Sequence, residues 1–163
     1  MTISDTKLYL VCGKIAAGKS TLCTSLGRLP KTVVLSEDSW LSALYGEEMK
    51  TISDYVNFSE RLRGAIGPHV EALLRAGVSV VMDFPANTID NRKWLICLGN
   101  QAGVSHELHF LDVSDPICKA RLHRRQELGE HPFVVSEEQF NRIASHFVRP
   151  TKDEGLNIVV HTL

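Results

Sequence analysis

Apolar residues along the chain fall into short runs, each followed by a stretch with helical spacing. Five runs read as strands: Leu8-Tyr9-Leu10-Val11-Cys12, Thr32-Val33-Val34-Leu35, Val78-Ser79-Val80-Val81-Met82-Asp83, His106-Glu107-Leu108-His109-Phe110-Leu111 and Asn157-Ile158-Val159-Val160. They are short, apolar or β-branched, and bounded by turn residues. Leu22 and Leu26 fall in a helix directly after the first run. Tyr55, Phe58, Leu62, Ile66, Val70, Leu73 and Leu74 mark one face of a helix over 55–76, closed by Gly77. Pro68 inside it predicts a kink or a break near Gly67. Thr88 or Asp90 caps a helix to about Ala102, and Ser114 or Asp115 caps another to about Leu128 with Pro116 in its first turn. Ser136 begins a last helix to about Val148.

Strands alternating with helices predict an α/β fold, a parallel sheet with helices on both faces. Ligands of such sheets bind beyond the carboxyl ends of the strands. That rule gathers 13–20, 36–38, 83–87 and the segment after Val113 at one mouth.

The 163 residues suit a single domain over 1–163, of a size that buries roughly 70% of its unfolded surface. A formal net charge of −1 gives no global field toward nucleic acid or membrane, which disfavours a nucleic-acid end as substrate. No apolar run reaches spanning length and the polar start lacks a signal-peptide core, so the expected setting is cytoplasmic. Cys12, Cys23, Cys97 and Cys118 form no C-x-x-C pair and read as buried free thiols. The seven histidines show no metal-ligand spacing.

The chemistry is concentrated in Gly13-Lys14-Ile15-Ala16-Ala17-Gly18-Lys19-Ser20-Thr21, which fits G-x-x-x-x-G-K-[ST] between a strand and a helix. Gly13 and Gly18 are expected to supply torsions a Cβ would forbid, letting successive N–H groups curl around an anion. Lys19 sets a compact positive charge against the β- and γ-phosphates, and the Ser20 hydroxyl suits Mg²⁺. The following helix aims its positive end at the same phosphates. A nucleoside triphosphate, ATP with Mg²⁺, is the expected cofactor. The chain has no N-K-x-D guanine-reading sequence and no L-S-G-G-Q, so a GTPase switch and a transporter ATPase are set aside in favour of a compact phosphotransferase.

The P-loop at 13–21, Ser36-Glu37-Asp38, Asp83-Phe84-Pro85-Ala86-Asn87 with Arg92, and the arginine helix at 117–125 resemble the small P-loop kinases of the polynucleotide-kinase and zeta-toxin-like group. Chloramphenicol phosphotransferases are relatives of that group. Arg149-Pro150-Thr151-Lys152-Asp153-Glu154-Gly155 also resembles the run before the last strand in bacterial members known only as AAA-family ATPases or kinases. The resemblance implies a five-stranded P-loop sheet of order 2-3-1-4-5 and a lid over about 117–136. It also implies a general base at Asp38, the base under Arg121 and the phosphates reached by Arg125. Asp83, Asn87 and Arg92 follow the family's D-x-x-x-N…R pattern, although Phe84-Pro85-Ala86 departs from its more usual threonine.

The residue types support these roles on their own terms. An acceptor hydroxyl needs a carboxylate within reach, and a strand-end acid such as Asp83 suits Mg²⁺ or substrate. Each also has a plainer reading. Asp38 could cap a helix over 39–45, Asp83 a turn, and Arg121, Arg124 and Arg125 could form a solvated helix face. Glu37 reads as solvated; Trp40 and Tyr45 read as either acceptor-pocket wall or packing. Three functions follow: a kinase acting on a hydroxyl of a small molecule or nucleotide, a nucleotide-binding regulator acting through a partner protein, and a polynucleotide 5′-hydroxyl kinase.

Overall fold

The computed structural model describes residues 5–129 and 136–162. Five strands, β1 Lys7–Gly13, β2 Thr32–Ser36, β3 Ser79–Asp83, β4 Ser105–Asp112 and β5 Ile158–Thr162, form one sheet of order β2-β3-β1-β4-β5. Every pairing is parallel. The expected 2-3-1-4-5 order is therefore present, and with flanking helices it is the P-loop NTPase fold. Central β1 and β3 are buried nearly throughout, whereas Val33 and Val34 of β2 and Val159 and Val160 of β5 are exposed at the two edges.

Side chains alternate across the sheet, so its two faces bury different sets. Leu8, Leu10, Val80, Met82 and Leu108, all fully buried, pack under α3 (Ile52–Arg75) and α4 (Ile89–Ala102). Tyr9, Val11 and Val81 pack against Cys23, Leu22 and Leu26 of α1 (Lys19–Gly27) on the opposite face. A smaller cluster joins Ala16, Ala17 and Val113 to Cys118 and Leu122 of α5 (Asp115–Glu127) and Phe140 of α6 (Glu137–Ser145). Fully burying each large aliphatic residue contributes roughly 2 kcal/mol, so both faces are firmly held.

Helix ends largely follow their capping chemistry. Thr88 caps α4, Ser136 caps α6 with a capping box to Gln139, and Gly103 ends α4 in a left-handed turn. Two expectations fail. The break allowed for near Gly67 is absent, since residues 52–75 form one continuous helix despite Pro68. Gly64 and Pro68 both lie exposed, so the Gly64 carbonyl that loses its donor faces water, while Leu62, Ile66, Val70 and Leu74 carry the buried face across the gap. The second concerns α2 (Glu37–Tyr45), whose N-cap is Ser36 accepting from the Ser39 N–H, not Asp38. Cys12, Cys23 and Cys118 are buried free thiols as expected, but Cys97 is exposed. No described helix is long and apolar enough to cross a membrane.

Candidate active site

The loop between β1 and α1 folds as the motif requires, with one amendment. Gly18 has φ +107°, a left-handed conformation costly for any other residue. Gly13 does not need an unusual torsion. A Cβ there would stand 3.2 Å from Leu111 Cβ and 3.3 Å from Ala17 Cβ, so glycine is required by close approach to β4. Ala16 shares the turn at φ +65°. Lys19 Nζ donates to the carbonyls of Gly13 (2.5 Å) and Lys14 (3.2 Å), and burial lowers its pKa. Lys14 Nζ turns to Asp115 Oδ1 at 2.6 Å, tying the loop to the start of α5. Ser20 and Thr21 stand exposed in the first turn of α1.

Asp83 ends β3 beside Ser36 of β2, with which it is in register. Burial raises its pKa, the Asp38 charge raises it further, and Lys19 opposes both. Two carboxylates and the P-loop lysine thus share one electrostatic site. Asp38 is exposed in the first turn of α2, on the solvent side of that group. Ser20 and Asp83 offer the hard oxygens that Mg²⁺ prefers. No cluster of three or more His, Cys, Asp or Glu able to hold a metal occurs among the described residues. The donor set therefore fits an ion that arrives with phosphate and keeps several waters.

On the other side of the P-loop, a cleft of about 700 Å³ opens between α1 and α5. Thr21 and Leu22 form one wall, Arg121, Arg124 and Arg125 the other, with His161 and Thr162 of β5 at its edge. Arg121 Nη1 donates to the Ala17 carbonyl at 3.1 Å, fixing one guanidinium over the end of the P-loop. All three arginines line the cleft, with Arg124 also exposed to solvent. The expected lid extends over 130–135, which lie outside the described residues.

Two expected acceptor contacts are instead internal ties. Asn87 Oδ1 accepts from the Gly13 N–H at 3.1 Å and its Nδ2 donates to the Gly13 carbonyl at 2.9 Å, clamping the base of the P-loop. Arg92 is fully buried. Its Nε and Nη2 donate to Glu154 at 2.8 and 3.2 Å, and Nη1 donates to the Ala86 and Val148 carbonyls. With no exposed surface it braces the loop after β3. The signal was present: Arg92 shares the buried face of α4 with Leu95, Leu98 and Gly99. Glu154, whose carboxylate completes the brace, stood unassigned in the Arg149-to-Gly155 run.

Glu37 also differs from its solvated reading. It is 1% exposed, Tyr55 Oη donates to it at 2.5 Å, and Arg63 Nη2 lies 3.6 Å away. Once α2 starts at Glu37, residues 37 and 41 fall on one face and both turn inward. Tyr45 stacks on Phe58 at 4.2 Å and so serves packing, while Trp40 stays 41% exposed.

Several solved structures share this fold. APS kinase CysC of Mycobacterium tuberculosis, in complex with AMPPNP and APS, is 20% identical with a TM-score of 0.65, covering 98% of this chain and 89% of its own. Kti12 of Chaetomium thermophilum, in complex with ADP-AlF3, is 15% identical with a TM-score of 0.65, covering 95% and 88%. A chain of the Pnkp1/Rnl/Hen1 RNA repair complex is 17% identical with a TM-score of 0.67, covering 89% of this chain but 45% of its own. No curated protein matches the chain. The family model AAA_33, described as an AAA domain, matches residues 8–150, and the chain belongs to that family.

Proposed function

We propose that the chain is an ATP-dependent kinase that transfers the γ-phosphoryl group to a hydroxyl of a small molecule or nucleotide. One observation carries this reading: Lys19, Asp83 and Asp38 converge at the strand ends, beside an arginine-lined cleft of nucleotide size. A regulator that only binds nucleotide needs no base facing an acceptor site, the role this reading gives Asp38.

In this reading the triphosphate lies along the P-loop amides, and Lys19 exchanges the Gly13 and Lys14 carbonyls for β- and γ-phosphate oxygens. The base enters the cleft under Arg121, and Arg125 reaches toward the phosphates where charge develops. Mg²⁺, held through Ser20 and Asp83, would neutralise phosphate charge. Asp38 accepts the proton of the acceptor hydroxyl as its oxygen attacks the γ-phosphorus in line. The bond to the β–γ bridging oxygen breaks, and ADP leaves with that electron pair. The formal net charge of −1 gives no global field toward a polynucleotide, which favours a small acceptor.

Transfer from γ-labelled ATP into pooled nucleosides, nucleotide sugars, aminoglycosides, chloramphenicol and 5′-hydroxyl oligonucleotides tests the reading. Label entering a small-molecule pool supports it. Label entering only oligonucleotides assigns a polynucleotide kinase. Tight ATP binding with slow phosphate release and no transfer into any pool favours the regulator.

A further inference from the structure

On the α1 side of the sheet, polar side chains run in line from the start of β1 to the end of β5. Lys7 Nζ donates to Glu107 Oε1 at 2.8 Å, and Glu107 Oε2 lies 3.1 Å from His109 Nε2. His109 Nδ1 lies 2.9 Å from His161 Nε2, and His161 reaches the wall of the arginine-lined cleft. The register explains the alignment. Tyr9, Val11 and His161 pair with Glu107, His109 and Leu111, so alternate residues of β4 share one face with them.

The hydrogens follow by elimination. The hydrogen bond from Lys7 holds the Glu107 carboxyl below its ordinary range, so it is ionised and can only accept. Burial holds His109 below the ordinary imidazole range, so it is neutral and carries one N–H. That hydrogen sits on Nε2, facing Glu107. His109 Nδ1 is then the acceptor and takes the Nε2–H of His161. With that hydrogen on Nε2, the remaining ring nitrogen of His161, Nδ1, is left as an acceptor.

We propose that His161 selects the base of the bound nucleotide. Its Nδ1 accepts from an exocyclic amino group, so the cleft favours an amino-bearing base such as adenine over one with a carbonyl there, such as hypoxanthine. His109 and Glu107 are positioning residues that fix the tautomer. This rests on the reading of the cleft as the nucleotide site. An amino group satisfies the acceptor, whereas a carbonyl sets lone pair against lone pair in a partly desolvated wall.

The test is calorimetric binding of ATP and of ITP, which carry the same triphosphate, to the whole chain and two variants. The unaltered chain should bind ATP about tenfold more tightly than ITP. His161→Phe keeps the aromatic surface and should bind both within about twofold of each other. Glu107→Gln offers Lys7 its carbonyl oxygen and turns its amide N–H toward His109. That reverses the hydrogen bonds beyond residue 107, from 107 to His109 and from His109 to His161, leaves His161 Nδ1–H a donor, and should abolish or invert the preference for ATP. A structural role alone would change stability in these variants and leave the ATP-to-ITP ratio untouched. Equal binding of both nucleotides by the unaltered chain, or an unchanged ratio in either variant, overturns the proposal while the nucleotide site stands. Binding of neither nucleotide overturns the site as well.

Discussion

Arg92 and Asp38 show how far a single letter can be read. Both matched a kinase pattern, yet one is sealed inside and the other faces solvent. The difference lies in their neighbours: Arg92 is on the apolar face of its helix, while Asp38 follows the inward-turned Glu37 by one position. The Arg92–Glu154 pair makes a prediction at this scale. Burial alone would raise the Glu154 carboxyl, but hydrogen bonds from Arg92 and the Thr151 N–H outweigh it, so it titrates below the ordinary 4.5. A depressed folded value means the stabilisation is full above 4.5 and fades as pH falls through that folded value. Glu154→Gln should therefore cost about 2 kcal/mol near neutral pH. Denaturant melts of both proteins should converge as pH drops below 4.5; a gap constant with pH would show that the pair is not what stabilises the brace. The P-loop residues were legible because their spacing is local. The partners of Arg92, Asn87 and Glu37 were not, because each is chosen by chain folded back from 18 to 74 positions away.

Among the elements, all five strands were legible from their short apolar runs, and so were most caps. Helix interiors were harder, because Pro68 weighs heavily in sequence and lightly where its lost partner is exposed. Gly64, one turn earlier on the same open face, gives a way to test that view of α3. A Cβ there meets nothing within 4 Å and its φ is ordinary. Gly64→Ala should stabilise the chain by about 0.5–1 kcal/mol, raising the melting temperature by roughly 2–3 °C. A fall in melting temperature would mean that the residues around Pro68 need the freedom of glycine, and that the helix is less regular than described. The start of α2 mattered more for function. Placing it two residues later in sequence hid Glu37 and made Asp38 its cap; placing it at Glu37 frees the Asp38 carboxylate.

For the whole molecule, the parallel order brings 13–20, 36–38 and 83–87 to one end of the sheet, as the strand-end rule anticipated. The two halves of the site are unequal in what they reveal. The P-loop and the arginine helix that lines the neighbouring cleft stood out in advance, because each is continuous in sequence. The region proposed for the acceptor, around α2, α3 and the loop after β3, holds no such run, and the buried Glu37–Tyr55–Arg63 group there emerged only from packing. The central claim is a division of labour, with Lys19 holding phosphates and Asp38 serving the acceptor. ATP affinity and single-turnover transfer, measured together on Lys19→Ala and Asp38→Asn, test it most directly. The account predicts that Lys19→Ala loses both. Asp38→Asn should keep ATP affinity within about twofold while transfer falls by roughly 10²–10⁴. Loss of ATP binding in Asp38→Asn as severe as in Lys19→Ala would contradict it, and would make Asp38 a nucleotide or metal ligand instead of the base.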